Sequence, residues 1–267
     1  VSLSNNKNAL KLSKKYKTNL YTSYQEAILN KKNIDAWIIC VRWNEIYNCL
    51  KYFMKLNQPL LVEKSITIDS KSLTNLYKLN KKNLSKISFA YNRNYYDYIF
   101  KLVKIINSSN PIYLEGKFFD PYKKIVKDKG KEINLYLPYY ITSHWIVLIL
   151  KILKLLGIKI TSISKENISN TESYSKLIKL NLKSGKKIFF MKIFNFPNMP
   201  KNHSIEIYLK KGYLQISPIE KLVHNKSFRI NKSIKNKYLP NFQVYEVSNK
   251  FKPGLRFMYY DFIKKNF

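Results

Sequence analysis

The sequence predicts an α/β protein in two parts. Residues 1–108 should form a parallel sheet flanked by helices, and residues 109–267 an α+β part with an open, mainly antiparallel sheet and a C-terminal helix. Three observations predict it. Helix-period and strand-like segments alternate through the first part, as parallel strands joined by crossover helices require. Beyond Ser108-Ser109-Asn110-Pro111 the pattern becomes a run of strands interrupted by one strong helix. The length of 267 residues corresponds to about two domains, and 45% apolar content is enough to bury a core.

Residues 7–16 read as helix, with Ala9, Leu12 and Tyr16 on one face. Leu20-Tyr21 reads as a short strand. Ser23 and Glu26 have capping-box spacing: the hydroxyl takes one orphan amide, the carboxylate reaches back for another, and a helix runs to Leu29. Ala36 to Val41 is a continuous apolar run, as expected of a central parallel strand. Residues 45–56 read as helix and Pro59 to Val62 as strand. Asp69 caps a helix to Leu79, Ile87 to Tyr91 is strand, and Tyr95 to Ile106 is helix. The second part has strand candidates at 112–119, 158–163, 174–182, 186–194, 203–209 and 213–217. Its helix, 139–156, carries the stripe Ile141, Trp145, Leu148, Ile152 and Leu155. Ser184-Gly185 reads as a hairpin turn. The Asn-Lys-Ser stretches at 165–171 and 225–237 read as surface loops.

Composition narrows the function. The 49 Lys and Arg exceed the 16 Asp and Glu by 33 charges. Only Arg42, Arg93, Arg229 and Arg256 are arginines, and lysine is spread along the whole chain. Nucleic-acid readers favour arginine for bidentate contacts, so compositional drift toward Lys, Asn, Ile and Tyr explains the excess better than a polyanion partner. The field would still attract phosphorylated or nucleotide-linked small molecules. Cys40 and Cys49 cannot build a disulfide framework or a four-ligand zinc site, and three scattered histidines do not make a metal site. No apolar run approaches the roughly 20 residues needed to span a bilayer. No glycine precedes Gly116, which excludes a phosphate-cradling glycine loop from residues 1–115. The chain starts at Val1, as a fragment or an unusual start would.

Val62-Glu63-Lys64-Ser65, preceded by the strand 36–41 and the helix after it, resembles the Gfo/Idh/MocA family of NAD(P)-dependent oxidoreductases and its Glu-Lys-Pro motif. The spacing from Val41 to Glu63 matches without a gap. Phe89-Ala90-Tyr91-Asn92-Arg93 is similar to the family's next strand end. Ser143-His144 is similar to its characteristic helical histidine, Lys210 to Leu214 to its late hairpin, and Lys252-Pro253-Gly254-Leu255 to the turn before its final helix. The resemblance implies a Rossmann-like parallel sheet lacking its first strand and glycine turn, with Val1–Leu3 as the second strand. Ser4 and Asn5 stand near the family's acid for the adenosine ribose, and their neutrality favours NADP over NAD. Ser65 replaces the motif's proline, Val41-Arg42 replaces a Thr-Pro pair, and Tyr140 replaces the acid four residues before the histidine.

The candidate site follows. Hydride transfer at a carbinol carbon needs a proton moved at its oxygen, and Lys64, at the carboxyl end of a parallel strand, is placed to do so. His144, early in its helix, is the second proton-handling candidate, because the helix field there favours neutral imidazole. The resemblance implies Glu63, Lys64, Arg42 and Asn92 on the cofactor side, and Arg93, Tyr140 and His144 on the substrate side. His203, His224 and the cluster Tyr91, Tyr95, Tyr96 and Tyr98 read as structural. The implied activity is NAD(P)-dependent oxidation or reduction of a sugar or sugar derivative, plausible in surface-polysaccharide metabolism. The protein would be cytoplasmic, homo-oligomeric through the open sheet, without a metal, and with neither membrane nor nucleic acid as partner. The alternatives are an inactive relative acting as a binding or scaffold protein, and a polyanion-binding protein.

Overall fold

The structure is a computed structural model; it describes residues 7–30, 34–64, 70–79, 81–106, 111–172, 175–184, 187–195, 203–209, 212–231, 237–247 and 252–267. The chain divides into two compact units, residues 1–89 and 90–267. Val1–Leu3, Ser4, Asn5, Ser65, Asp69 and Gly185 lie outside the described residues.

The first unit holds helices α1 (Lys7–Tyr16), α2 (Tyr24–Leu29), α3 (Ile46–Phe53) and α4 (Ser70–Leu79), and strands β1 (Trp37–Ile39), β2 (Leu60–Val62) and β3 (Ile87–Phe89). The strands pair in parallel in the order β1-β2-β3. α2 starts as its sequence dictates: Ser23 Oγ accepts the Glu26 N–H at 3.1 Å, while the Glu26 carboxylate accepts the Thr22 N–H at 3.1 Å. Trp37 on β1 is fixed by its indole N–H, which donates to Gln58 Oε1 at 2.6 Å, and by an edge-on contact with Phe53.

Leu20-Tyr21 is not a strand. The apolar run 36–41 is not central: among the described residues β1 forms a sheet edge with Ile38 56% exposed, whereas all three residues of β2 are buried. A short apolar run cannot tell an edge from a centre, because both bury at least one face.

The second unit is built on an eight-stranded sheet. Its strands are β4 (Pro111–Phe119), β5 (Ser162–Glu172), β6 (Ser175–Ser184), β7 (Lys187–Asn195), β8 (Ser204–Leu209), β9 (Tyr213–Ile216), β10 (Lys221–Asn231) and β11 (Lys237–Glu246). The spatial order is β11-β10-β9-β8-β4-β7-β6-β5. Every pairing is antiparallel except β4 with β7. The helices are α5 (Asp97–Ile106), α6 (Tyr122–Lys129), α7 (Ser143–Leu155) and α8 (Leu255–Asn266).

Strand alternation sends Leu114 and Phe118 of β4, and Ile205, Ile207 and Leu209 of β8, into one core with Trp145, Leu148, Ile149 and Ile152 of α7. Burying such side chains contributes about 1.5–3 kcal/mol each. Gly116 lets α7 approach: an added Cβ would stand 3.1 Å from Ile149 and 2.7 Å from the Phe118 ring. Outward-facing β-residues carry charge instead. Lys192 Nζ lies 2.6 Å and Lys117 Nζ 3.4 Å from the Glu115 carboxylate.

The seam falls between Phe89 and Ala90 rather than at residue 108, because Tyr98, Ile99, Leu102 and Ile106 of α5 bury in the same cluster as α7 and the large sheet. The stretches 165–171 and 225–231 are strand, not surface loop. β5 is an edge strand whose residues 162–166 are all exposed, so backbone pairing to β6 holds it without apolar alternation. α6 and β11 also lie where the sequence reading placed no element.

Candidate active site

In the first unit the parallel register aligns Ile39 with Val62, so the residues after β1 and β2 leave the sheet side by side at its carboxyl end. The Glu63 N–H extends the ladder by donating to the Ile39 carbonyl at 2.8 Å. The Glu63 carboxylate then turns back and accepts the Lys64 N–H at 2.9 Å. Glu63 thus fixes the backbone from which the Lys64 amine projects. Both residues are half-buried, and Arg42 is exposed. Desolvation, aided by the Glu63 carboxylate, pushes the neighbouring Cys40 thiol above its ordinary pKa, so it stays protonated. Ligands of open parallel sheets generally bind outside the strands' carboxyl ends.

The second unit holds the other candidates. A π-helical turn, Pro138–Thr142, leads into α7, a device that recurs at functional sites. It carries Tyr140, half-buried, and ends at buried Thr142. His144 is buried in the first turn of α7, and its ring meets Tyr91 edge to face at 5.5 Å. Burial pushes the Tyr91 hydroxyl upward in pKa, while a hydrogen bond with Ser143 acts in the opposite sense. Arg93 lies flat on Trp145, its guanidinium carbon 3.9 Å from the ring centre. Burial lowers the Arg93 pKa against the pull of Tyr96, Glu220 and Asp120, and its Nε has no hydrogen-bond partner. The Asn92 amide donates to the Pro253 carbonyl at 2.9 Å, closing the turn before α8.

The sequence reading missed the hub of this region. Asp120, 3% exposed just beyond β4, accepts the Trp145 indole N–H at 2.8 Å and the Thr142 hydroxyl, which also contacts Tyr122 OH. The acid therefore anchors the first turn of α7 on both sides of His144. The signal available was an Asp-Pro pair after a strand in a chain with few acids. His203 packs on Trp145 at 4.3 Å, and its Nδ1 accepts the Phe119 N–H at 3.2 Å. Tyr96 and Tyr98 are buried core residues, and the Tyr98 hydroxyl donates to the Ile219 carbonyl at 2.8 Å. His224 is buried within β10.

Lys64 thus stands in the first unit and His144 in the second. Among the described residues, no group of three or more His, Cys, Asp or Glu could hold a metal ion, and no helix is long and apolar enough to cross a membrane.

A parallel sheet with charged residues at its carboxyl end, followed by a unit built on an open, mainly antiparallel sheet, defines an α/β protein with a Rossmann-like first unit. Residues 1–91, about a third of the chain, match the model of the Gfo/Idh/MocA oxidoreductase family, NAD-binding Rossmann fold. No curated protein matches the chain by sequence. Solved structures share its fold. UDP-N-acetylglucosamine 3-dehydrogenase GnnA from Acidithiobacillus ferrooxidans is similar at 14% identity, with 97% of this chain and 78% of that one covered and a TM-score of 0.67. A super-repressor mutant of Gal80p from Saccharomyces cerevisiae is similar at 13% identity, with 97% and 75% covered and a TM-score of 0.69. A probable dehydrogenase from Thermotoga maritima is similar at 16% identity, with 97% and 78% covered and a TM-score of 0.63.

Proposed function

We propose that this protein transfers a hydride between NAD(P) and a hydroxyl carbon of a sugar or sugar derivative, with Lys64 and His144 handling the hydroxyl proton. The observation that carries the reading is the Glu63–Lys64 arrangement: a carboxylate holding the backbone of a half-buried lysine at the carboxyl end of a parallel sheet. The nicotinamide supplies the hydride acceptor or donor when bound. The residues after β1 and β2 fit its ribose end, with Arg42 as a cation, Glu63 as a carboxylate for hydroxyls and Lys64 as an amine. A glycine-rich pyrophosphate turn is not among residues 1–115.

In oxidation the Lys64 amine takes the proton from the substrate hydroxyl, and in reduction its ammonium returns it. His144, set by the Asp120-anchored turn, is the second proton-handling candidate. Arg93, with an unpartnered Nε over Trp145, and Tyr140 stand on the substrate side. The neutral Ser4 and Asn5 favour NADP. The similar GnnA, a UDP-N-acetylglucosamine 3-dehydrogenase, supports a nucleotide-linked sugar as substrate class. Two copies would pair through the open face of the large sheet, where Ile112 and Tyr208 are exposed.

The test is Lys64→Ala. Turnover of UDP-sugars should fall by a factor of about 10²–10⁴, the usual contribution of a general acid–base group. Wild-type turnover would remove Lys64 from the chemistry. A second reading, a binding protein without catalysis, is supported by Tyr140 in place of the family's acid and by the repressor among the similar structures. Calorimetry separates the two: failure to bind both NADH and NADPH favours the second.

A further inference from the structure

We propose that the second unit carries a ligand site of its own, a hollow between α5, α7 and α8 that takes a small amphipathic anion: an apolar body bearing one phosphate or carboxylate. The reading stands apart from the proposed dehydrogenase activity and uses none of its residues.

The sequence of α8 explains how the hollow arises. Met258 and Phe262 face the core and are buried. Arg256, Tyr260 and Lys264 recur every four residues on another face, with Phe257 beside them, and all four are exposed. A surface helix normally presents polar residues there. Here it turns two rings outward, with Tyr260 64% exposed. α5 answers with Phe100, 55% exposed, whose ring meets Phe257 at 5.9 Å. Ile99 and Leu155 supply apolar floor, and the hollow encloses about 740 Å³. That is the size of a small-molecule site, apolar with a few convergent polar groups.

Charge selects the ligand. Lys151, Arg256 and Lys264 line the hollow against one acid, Asp261. That carboxylate is engaged, accepting the Tyr95 hydroxyl at 3.0 Å. Burial, reinforced by Asp261, pushes the Tyr95 pKa up to about 12, so the phenol remains the donor at neutral pH. The wall thus keeps a net excess of two cations beside exposed aromatic faces. Asn94 adds a second, independent indication. Its carboxamide oxygen is buried without a hydrogen-bond partner, and with the amide turned over the same position offers an N–H. A buried polar atom without a partner is costly, and a ligand's polar group would satisfy it.

The experiment uses 8-anilinonaphthalene-1-sulfonate, which combines a planar apolar body with one anionic group. Full-length protein should bind it saturably at one site, by fluorescence and calorimetric stoichiometry. Lys151→Gln with Arg256→Gln should weaken binding at least tenfold with the melting temperature unchanged. NADPH should not displace the dye. Displacement by phenyl phosphate marks an aryl phosphate as the natural class, and displacement by decanoate an acyl carboxylate. Non-saturating binding, no effect of the double variant, displacement by NADPH, or displacement by neither small anion overturns the site. Because NADPH is scored separately, loss of the dehydrogenase reading would leave this result interpretable.

Discussion

The two units use their apolar residues differently. In the first, α1 buries no residue, and Leu10, Leu12 and Tyr16 remain exposed; the core gathers around three-residue strands and the inner face of α3. In the second, α7 buries Trp145, Leu148, Ile149, Ile152 and Leu153 in one cluster with Leu114 and Phe118 of the nine-residue strand β4. Among the described residues, apolar burial is therefore greater in the open-sheet unit. The parallel-sheet unit, which carries Lys64, sits nearer the low-stability end from which ligand-binding regions are usually drawn.

The contrast can be broken at its strong side first. Gly254 has φ of +77°, and a Cβ there would run into the Asn92 carbonyl in the turn that Asn92 closes on Pro253. Gly254→Ala should cost about 3 kcal/mol or more in denaturant unfolding of the full chain, combining backbone strain with a clash against main chain. A loss under about 1 kcal/mol would show that this turn yields. On the weak side, Leu60→Ala removes a side chain 1% exposed in the central strand β2. It should cost about 2–3 kcal/mol. Hydrogen exchange should rise in β1–β3 while the amides of β4 and β7 keep their protection. Uniform loss of protection would mean that the two units unfold as one.

The smallest effect concerns pH. Burial raises the Glu115 pKa, but the hydrogen bond from Lys192 and the charge of Lys117 outweigh it, and the carboxyl ends below its ordinary value. A lowered folded-state pKa contributes stability above the unfolded value, near 4.3, that is lost as pH falls through the folded one. Glu115→Gln should therefore lower stability near neutrality by no more than about 1 kcal/mol. Its melting temperature should converge with that of the wild type in acid. A constant gap at every pH would assign the effect to packing rather than charge.

Much of the architecture was legible because local chemistry and tertiary demand agree. The Ser23 cap, the stripe of α7 and the alternation of β8 each state a helix or strand in their own residues. The failures share one cause. β5 and β10 include long polar stretches, and the position of β1 at an edge among the described strands is fixed by neighbours rather than by its own apolar run. Strand pairing uses backbone groups common to every residue, so a strand that buries little leaves no periodic signal. The places of Glu63-Lys64 just after β2 and of Ser143-His144 at the start of α7 could be read from sequence because spacing carries them. Asp120 could not, since its meaning lies in side chains from more than twenty positions away that meet only in the folded chain.

The parallel pairing of β4 with β7 in an otherwise antiparallel sheet has a kinetic consequence. β4 is made first among the eight strands, yet its partners β7 and β8 arrive only after α6, α7 and the β5–β6 hairpin. The sheet's middle seam thus closes over some of its longest chain separations, a topology that slows folding. During synthesis β4 must therefore wait with both edges open until its neighbours β7 and β8 are made.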